Sequence, residues 1–209
     1  EIKTPKGFLQ LEKPVTFEIK GIRDYDKDQD EDFIKEVLMK NEQPTGTLII
    51  NKTIALREDA DTSLVDTSDL SGIEFKLTAK EDIIDYADGS KIYTKGQEIK
   101  KYNLPMGTYE LEETKTLDGL VLNWTKYEVK FEQKDLTTKV YEDIKDISND
   151  TTMFEFSKKS VTGDDELEGA KLSVIDENNK VVDTWTSTKK THKIEGLVVG
   201  KTYKLKEEI

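Results

Sequence analysis

Gly46-Thr-Leu-Ile-Ile-Asn-Lys52, Met106-Gly-Thr-Tyr109-Glu-Leu111-Glu-Glu113 and Asn149 stand in that order along the chain. The same phrase then restarts as Phe154-Glu-Phe156-Ser-Lys158 and Val199-Gly-Lys-Thr-Tyr203-Lys-Leu205-Lys-Glu207. Apolar and polar residues alternate with a period of two, which is the signature of half-buried strands. Gly72-Ile-Glu-Phe75-Lys-Leu77, Tyr127-Glu-Val129-Lys-Phe131 and Ala170-Lys-Leu172-Ser-Val174 carry the same alternation. Turn signals separate these runs at Asp88-Gly89, Pro105-Met-Gly107, Asp118-Gly119, Thr162-Gly163 and Asn178-Asn179. The pattern predicts an all-β chain of sandwich modules of roughly 100 residues each.

The repeat sets the expected boundaries. Residues 46–150 read as one complete module, with Lys52 on its first strand and Asn149 closing its last. Residues 151–209 repeat the opening half of that module. Residues 1–45 read as a closing half: Glu1-Ile-Lys-Thr-Pro-Lys-Gly7-Phe matches Glu113-Thr-Lys-Thr-Leu-Asp-Gly119-Leu, and Asn41-Glu-Gln-Pro44-Thr matches Asn149-Asp-Thr-Thr152. One module is thus split between the two chain ends. Three origins fit this split: one period of a tandem array, a module completed in cis or between copies, or two outer domains present in part. The opening Glu1-Ile-Lys-Thr-Pro-Lys-Gly7 reads as mid-domain sequence, so a section of a longer chain is expected.

Composition narrows the function. Hydrophobic residues make up 34% and charged residues 36%, so the cores must be thin, as in small β-domains. The net charge of −12 argues against a nucleic-acid or anionic-bilayer partner. No stretch reaches the length of a membrane span. The chain has no cysteine, so any covalent reinforcement must use chemistry other than a disulfide.

Leu167-Glu-Gly-Ala-Lys-Leu172, Trp185-Thr-Ser-Thr, His192-Lys-Ile194-Glu-Gly-Leu197, Phe75-Lys-Leu-Thr-Ala-Lys-Glu-Asp-Ile83 and the two Tyr-x-Leu-x-Glu phrases give the chain a family resemblance. It resembles the CnaB-type (SpaA-like, prealbumin-fold) domains of Gram-positive pilins and adhesin stalks. The resemblance implies tandem Ig-like or prealbumin-like β-sandwiches and an internal isopeptide bond between Lys52 and Asn149, with Glu113 as the catalytic acid. Burial among Leu48, Ile50 and aromatic residues lowers a lysine's pKa and frees the neutral amine. An amide is a poor electrophile, so Glu113 is expected to donate a hydrogen bond to its carbonyl oxygen and to shuttle protons as ammonia leaves. Strand-borne groups held in contact gain a high effective concentration, so a slow, single-turnover reaction suffices.

The same resemblance implies a second set: Lys158, Glu207 and Asn41. Asn41 lies in the leading segment, so this bond requires another chain, a neighbouring repeat or a chain reversal. Glu1 competes with Glu207 for the acid position, and the spacing from Tyr203 favours Glu207. Lys159 competes with Lys158, and the alternation Phe154, Phe156, Lys158 places Lys158 on the buried side.

Asp24, Asp26, Asp28 and Asp32 match positions one, three, five and nine of a calcium loop. Gln29 replaces the sixth-position glycine and Lys35 the twelfth-position glutamate, so a solvated acidic loop is expected, with calcium a weak alternative and no other cofactor. Glu112 and Glu113 face opposite sides of a strand and cannot share one substrate as a glycosidase pair would. His192, the only histidine, is expected on the surface, and Trp124 and Trp185 in core or edge packing.

These readings predict a structural segment of a cell-wall or cell-surface fibre, pilus or adhesin stalk, extracellular and without enzymatic turnover. Expected partners are neighbouring copies or repeats of the same protein. The alternatives are an adhesin module that binds host matrix or glycan, and a spacer of a larger surface enzyme.

Overall fold

The computed structural model describes residues 3–18 and 37–208. The acidic run with Asp24, Asp26, Asp28 and Asp32 lies outside the described residues, as does Glu1. Among the described residues there are twelve strands and no helix. They are β1 (Thr45–Ala55), β2 (Glu74–Ala79), β3 (Ile83–Ile84), β4 (Lys91–Tyr93), β5 (Gly107–Lys115) and β6 (Tyr127–Phe131). The rest are β7 (Val140–Asp150), β8 (Met153–Phe156), β9 (Lys171–Ile175), β10 (Val181–Thr186), β11 (His192–Glu195) and β12 (Lys204–Glu207). The sheets run β1-β7, β2-β5-β6, β3-β4, β11-β8 and β10-β9-β12. The all-β sandwich expectation holds.

The alternation decides what each strand turns inward. Tyr109, Leu111 and Glu113 of β5 are buried in step, and Ile147 and Asn149 of β7 likewise. Glu112 falls on the opposite face, where Lys76 and Lys126 hold it at 2.8 and 3.2 Å.

The chain divides into two compact units, the first comprising residues 1–48, 79–109 and 129–143. Its buried residues include Leu9, Ile83, Tyr93, Ile99, Leu104, Tyr109 and Phe131. Each aliphatic side chain buried there contributes about 1.5–3 kcal/mol. Gly46 exchanges backbone hydrogen bonds with Leu104 at 2.7 and 3.0 Å. Its α-carbon meets the Phe131 ring so closely that a Cβ would overlap it, which explains the glycine of the opening phrase. The leading residues are tied into this unit. Leu9 N donates to Glu42 O at 2.8 Å, Asn41 Nδ2 donates to Leu9 O at 2.8 Å, and Gln133 Nε2 donates to Phe8 O at 2.9 Å.

The second unit comprises residues 49–78, 110–128 and 144–209. Val174, Ile194 and Leu197 form a buried cluster against Leu64, Phe156, Val182, Trp185 and Tyr203. Trp185 stacks on His192 with centroids 4.2 Å apart, and His192 Nε2 lies 2.6 Å from Asp183 Oδ2. The histidine expected on the surface is therefore half-buried, because it opens β11 beneath an indole. Trp124 departs from expectation in the other direction and is exposed.

Two glycines meet in this unit. Gly119 and Gly196 have φ of 80° and 93°, and a Cβ on Gly119 would lie 2.6 Å from Gly196 O. Thr152 bridges them, its N donating to Gly119 O at 2.9 Å and its O accepting from Gly196 N at 3.0 Å.

The tail region shows what alternation alone leaves open. Phe154 was expected inside, yet it is exposed, as are Met153 and Leu205. Among the described strands β8 pairs only with β11, and β12 is an edge strand beside β9. Period two selects the face of a sheet; a second layer is needed to bury it.

Candidate functional site

Lys52, Glu113 and Asn149 meet inside the second unit. Glu113 sits between the other two. Its Oε1 accepts from Asn149 Nδ2 at 2.6 Å, and its Oε2 lies 4.0 Å from Lys52 Nζ. The Glu113 side chain is 1% exposed and that of Lys52 is 10% exposed. Asn149 is completely buried.

Lys52 Nζ also donates to Ile147 O at 3.1 Å, two residues before Asn149, and to Thr53 O at 3.1 Å. Burial holds the pKa of the amine below its ordinary value, with the Glu113 carboxylate pulling the other way.

Asn149 is held through its nitrogen. Nδ2 donates to Glu113 Oε1, to Val121 O at 2.7 Å and to Thr116 Oγ1 at 3.1 Å. A backbone carbonyl can only accept, so Val121 fixes which end of the carboxamide is nitrogen. Asn149 Oδ1 and Glu113 Oε2 are buried and make no hydrogen bond among the described residues. This geometry differs from the expectation that Glu113 would donate to the Asn149 carbonyl oxygen. The acid faces the nitrogen instead, because Val121 O and Thr116 Oγ1 draw Nδ2 to that side.

The loop after β5 secures these partners. Val121 N donates to Asp150 O at 2.8 Å, and Asn123 Nδ2 donates to Ser148 O at 2.9 Å and to Tyr127 OH at 3.1 Å. The Asn123 backbone N donates to Glu113 Oε1 at 3.3 Å. Thr116, Val121 and Asn123 escaped the sequence reading. None lies on an alternating strand, and no motif marks them.

The structure also brings Lys158 and Glu207 together, with Nζ 2.9 Å from Oε2. Their side chains are 31% and 50% exposed, so this pair is far wetter than the Lys52 pair. Lys159 is exposed. Asn41 belongs to the first unit, where Leu9 O accepts its Nδ2. A second buried carboxylate, Glu195, was also missed; it is completely buried, with Arg57 Nε 3.4 Å from its Oε1. Among the described residues no cluster of three or more histidine, cysteine or acidic side chains is placed to hold a metal ion. No helix among them is long and apolar enough to cross a membrane.

The described residues form an all-β chain of small paired sheets. The sequence profile of the SpaA prealbumin-like fold domain matches residues 60–145 and 152–209, and the chain belongs to that family. Among solved structures, the chain is similar to the Bacillus anthracis TIE protein, with 22% identity over 82% of this chain and 30% of that one, at a TM-score of 0.43. It is also similar to the C-terminal fragment of the pilus adhesin SpaC from Lactobacillus rhamnosus GG. There the identity is 16% over 80% of this chain and 76% of that one, at a TM-score of 0.40. A streptococcal ancillary pilin shows 20% identity over 82% of this chain and 56% of that one, at a TM-score of 0.29. The chain thus spans less than a third of the length of the TIE protein. No curated protein matches it.

Proposed function

We propose that this chain is a load-bearing segment of a bacterial cell-surface fibre, pilus or adhesin stalk, stabilised by an autocatalytic amide between Lys52 and Asn149. The observation that carries the reading is a buried carboxylate, Glu113, set between a buried amine and a buried carboxamide. The residue resemblance to pilin and adhesin-stalk modules supports the extracellular setting, and the absence of cysteine makes a non-disulfide crosslink the available covalent reinforcement.

The neutral Lys52 Nζ adds to Asn149 Cγ and forms the new C–N bond. Glu113 takes a proton from the attacking nitrogen through Oε2 and delivers one through Oε1 to Nδ2. The Cγ–Nδ2 bond then breaks, its electron pair leaves on ammonia, and the carbonyl re-forms. No electron is gained or lost overall, and Glu113 ends as it began.

The amide joins β1 to β7, so tension passes through a covalent bond instead of their shared hydrogen bonds. Intact-mass measurement tests this. The folded protein is expected to weigh about 17 Da less than its sequence, one ammonia for one amide. An unreduced mass would defeat the crosslink.

A second, finer reading concerns assembly. The Lys158–Glu207 pair supplies an amine and an acid beside the exposed Phe154 and Leu205. Asn41 of a neighbouring copy or repeat is the complementary carboxamide. The same spectra would then show covalent multiples of the chain that disappear in Lys158→Ala.

Amide formation should also follow pH in a definite direction. Only the unprotonated amine attacks, and burial depresses the pKa of Lys52. The rate is expected to rise with pH and to level off before the ordinary lysine value of 10.5. Mass loss followed after cell-free synthesis at several pH values measures it, and a rate that falls as pH rises would contradict the nucleophile assignment.

A further inference from the structure

The nitrogen of Asn149 has more acceptors than it can use. Glu113 Oε1, Val121 O and Thr116 Oγ1 lie 2.6, 2.7 and 3.1 Å from Nδ2. A carboxamide nitrogen is planar and carries two protons, so it satisfies two acceptors at a time. The departing nitrogen of the tetrahedral intermediate is pyramidal and carries three protons once Glu113 has delivered one. It can satisfy all three.

We propose that Thr116 Oγ1 and the Val121 carbonyl, together with Glu113, form a leaving-group cradle that binds the departing nitrogen of Asn149 more strongly than the resting carboxamide, with Thr116 as a positioning residue. This rests on the crosslinking reading and deepens it. The cradle fits the general rule that only interactions stronger in the transition state than in the ground state accelerate a reaction.

The other end of the carboxamide sharpens the point. Asn149 Oδ1 receives no hydrogen bond among the described residues, so no built oxyanion site serves the carbonyl oxygen. The preorganised polar groups are gathered on the nitrogen side. They are also rigid. Val121 is tied by its own N–H to Asp150 O, the residue after Asn149, so its carbonyl cannot drift from the nitrogen it holds. Thr116 follows β5 immediately and is half-buried, and Val121 is exposed, whereas Glu113 and Asn149 are buried.

The test compares Thr116→Val and Thr116→Ser with the unaltered chain, each made by cell-free synthesis and followed by intact mass over time. Valine keeps the shape and loses the acceptor; serine keeps the acceptor. Loss of about 17 Da is expected to be about tenfold slower in Thr116→Val and unchanged in Thr116→Ser, the size of one neutral hydrogen bond. The melting temperature of Thr116→Val is also compared with that of Thr116 in a Lys52→Ala background, where no amide forms. Equal values are expected, because two acceptors still serve the two protons of the resting carboxamide. A Thr116→Val chain that crosslinks at the unaltered rate overturns the cradle while leaving the crosslink intact. So does a lower melting temperature in the Lys52→Ala background, which would make Thr116 a structural residue. An unaltered chain that never loses mass overturns the cradle and the crosslink together.

Discussion

Lys52→Ala is expected to lower the melting temperature by about 10–20 °C. A covalent link between residues 52 and 149 closes a loop of roughly 100 residues, and restricting the unfolded chain that way is worth about 4–5 kcal/mol on the scale established for disulfides. For a chain of this size each kcal/mol moves the midpoint by about 2–4 °C. Part of any loss could come from packing, since the stem of Lys52 is buried along β1. Lys52→Met separates the two effects. Methionine keeps an unbranched apolar stem and removes the nucleophile, so it should melt as low as alanine if the amide is the main contribution. Calorimetry of the three chains decides it. Equal midpoints for the unaltered chain and Lys52→Met would end the claim that a crosslink holds this fold. Trypsin resistance should fall in parallel, because cleavage samples the open state that the amide makes rarer.

Glu113→Gln is expected to slow amide formation by about 10²–10⁴-fold, the usual contribution of a positioned proton-transfer group. Glutamine is nearly the same shape and still offers one oxygen to Asn149. It cannot carry a proton from the amine to the leaving nitrogen. The electrostatic side effect works in favour of the test. Glu113 is the group that raises the pKa of Lys52 against the effect of burial. Removing its charge lowers that pKa further and enlarges the neutral, attacking fraction of the amine. A slower reaction therefore cannot be explained by a better-protonated lysine. Mass spectra of freshly synthesised Glu113→Gln should show the full sequence mass long after the unaltered chain has reacted. Mass loss at the unaltered rate would remove Glu113 from the mechanism.

Both experiments bear on why the site sits where it does. Lys52 of β1 and Asn149 of β7 lie on the two strands of one sheet. Force that separates these strands is otherwise opposed only by the hydrogen bonds between them. The proposed amide between Lys52 and Asn149 would bear it instead. Glu113 approaches from β5, which pairs with β2 and β6, so the reaction requires a second sheet to close over the first. On the proposed mechanism, crosslinking therefore follows folding.

Much of this was legible before any coordinates. Period two in Tyr109-Glu-Leu111-Glu-Glu113 is sufficient to place Glu113 with the core and Glu112 outside. The repeat of that phrase at Tyr203 pointed to Glu207 beside Lys158, and their side chains lie 2.9 Å apart. Other readings failed for a definable reason. Phe154 alternates like a core residue yet is exposed, because alternation speaks of a face and not of what covers it. His192 precedes a strand pattern and looked solvent-facing, but Trp185 lies over its ring.

The sequence by itself determined the all-β class, most of the longer strands and the turns between them, because alternation and turn chemistry depend on neighbours two to four positions away, while the candidate amine, acid and carboxamide came from the family resemblance. Only the tertiary structure decided that Asn149 offers its nitrogen to Glu113, and that Thr116 and Val121 cradle that nitrogen. It alone also decided that the Lys158 side chain is 31% exposed where that of Lys52 is 10% exposed. Those outcomes rest on which strands and loops meet across the core. Burial and hydrogen-bond direction there are set by residues far apart in the chain, which no local pattern records.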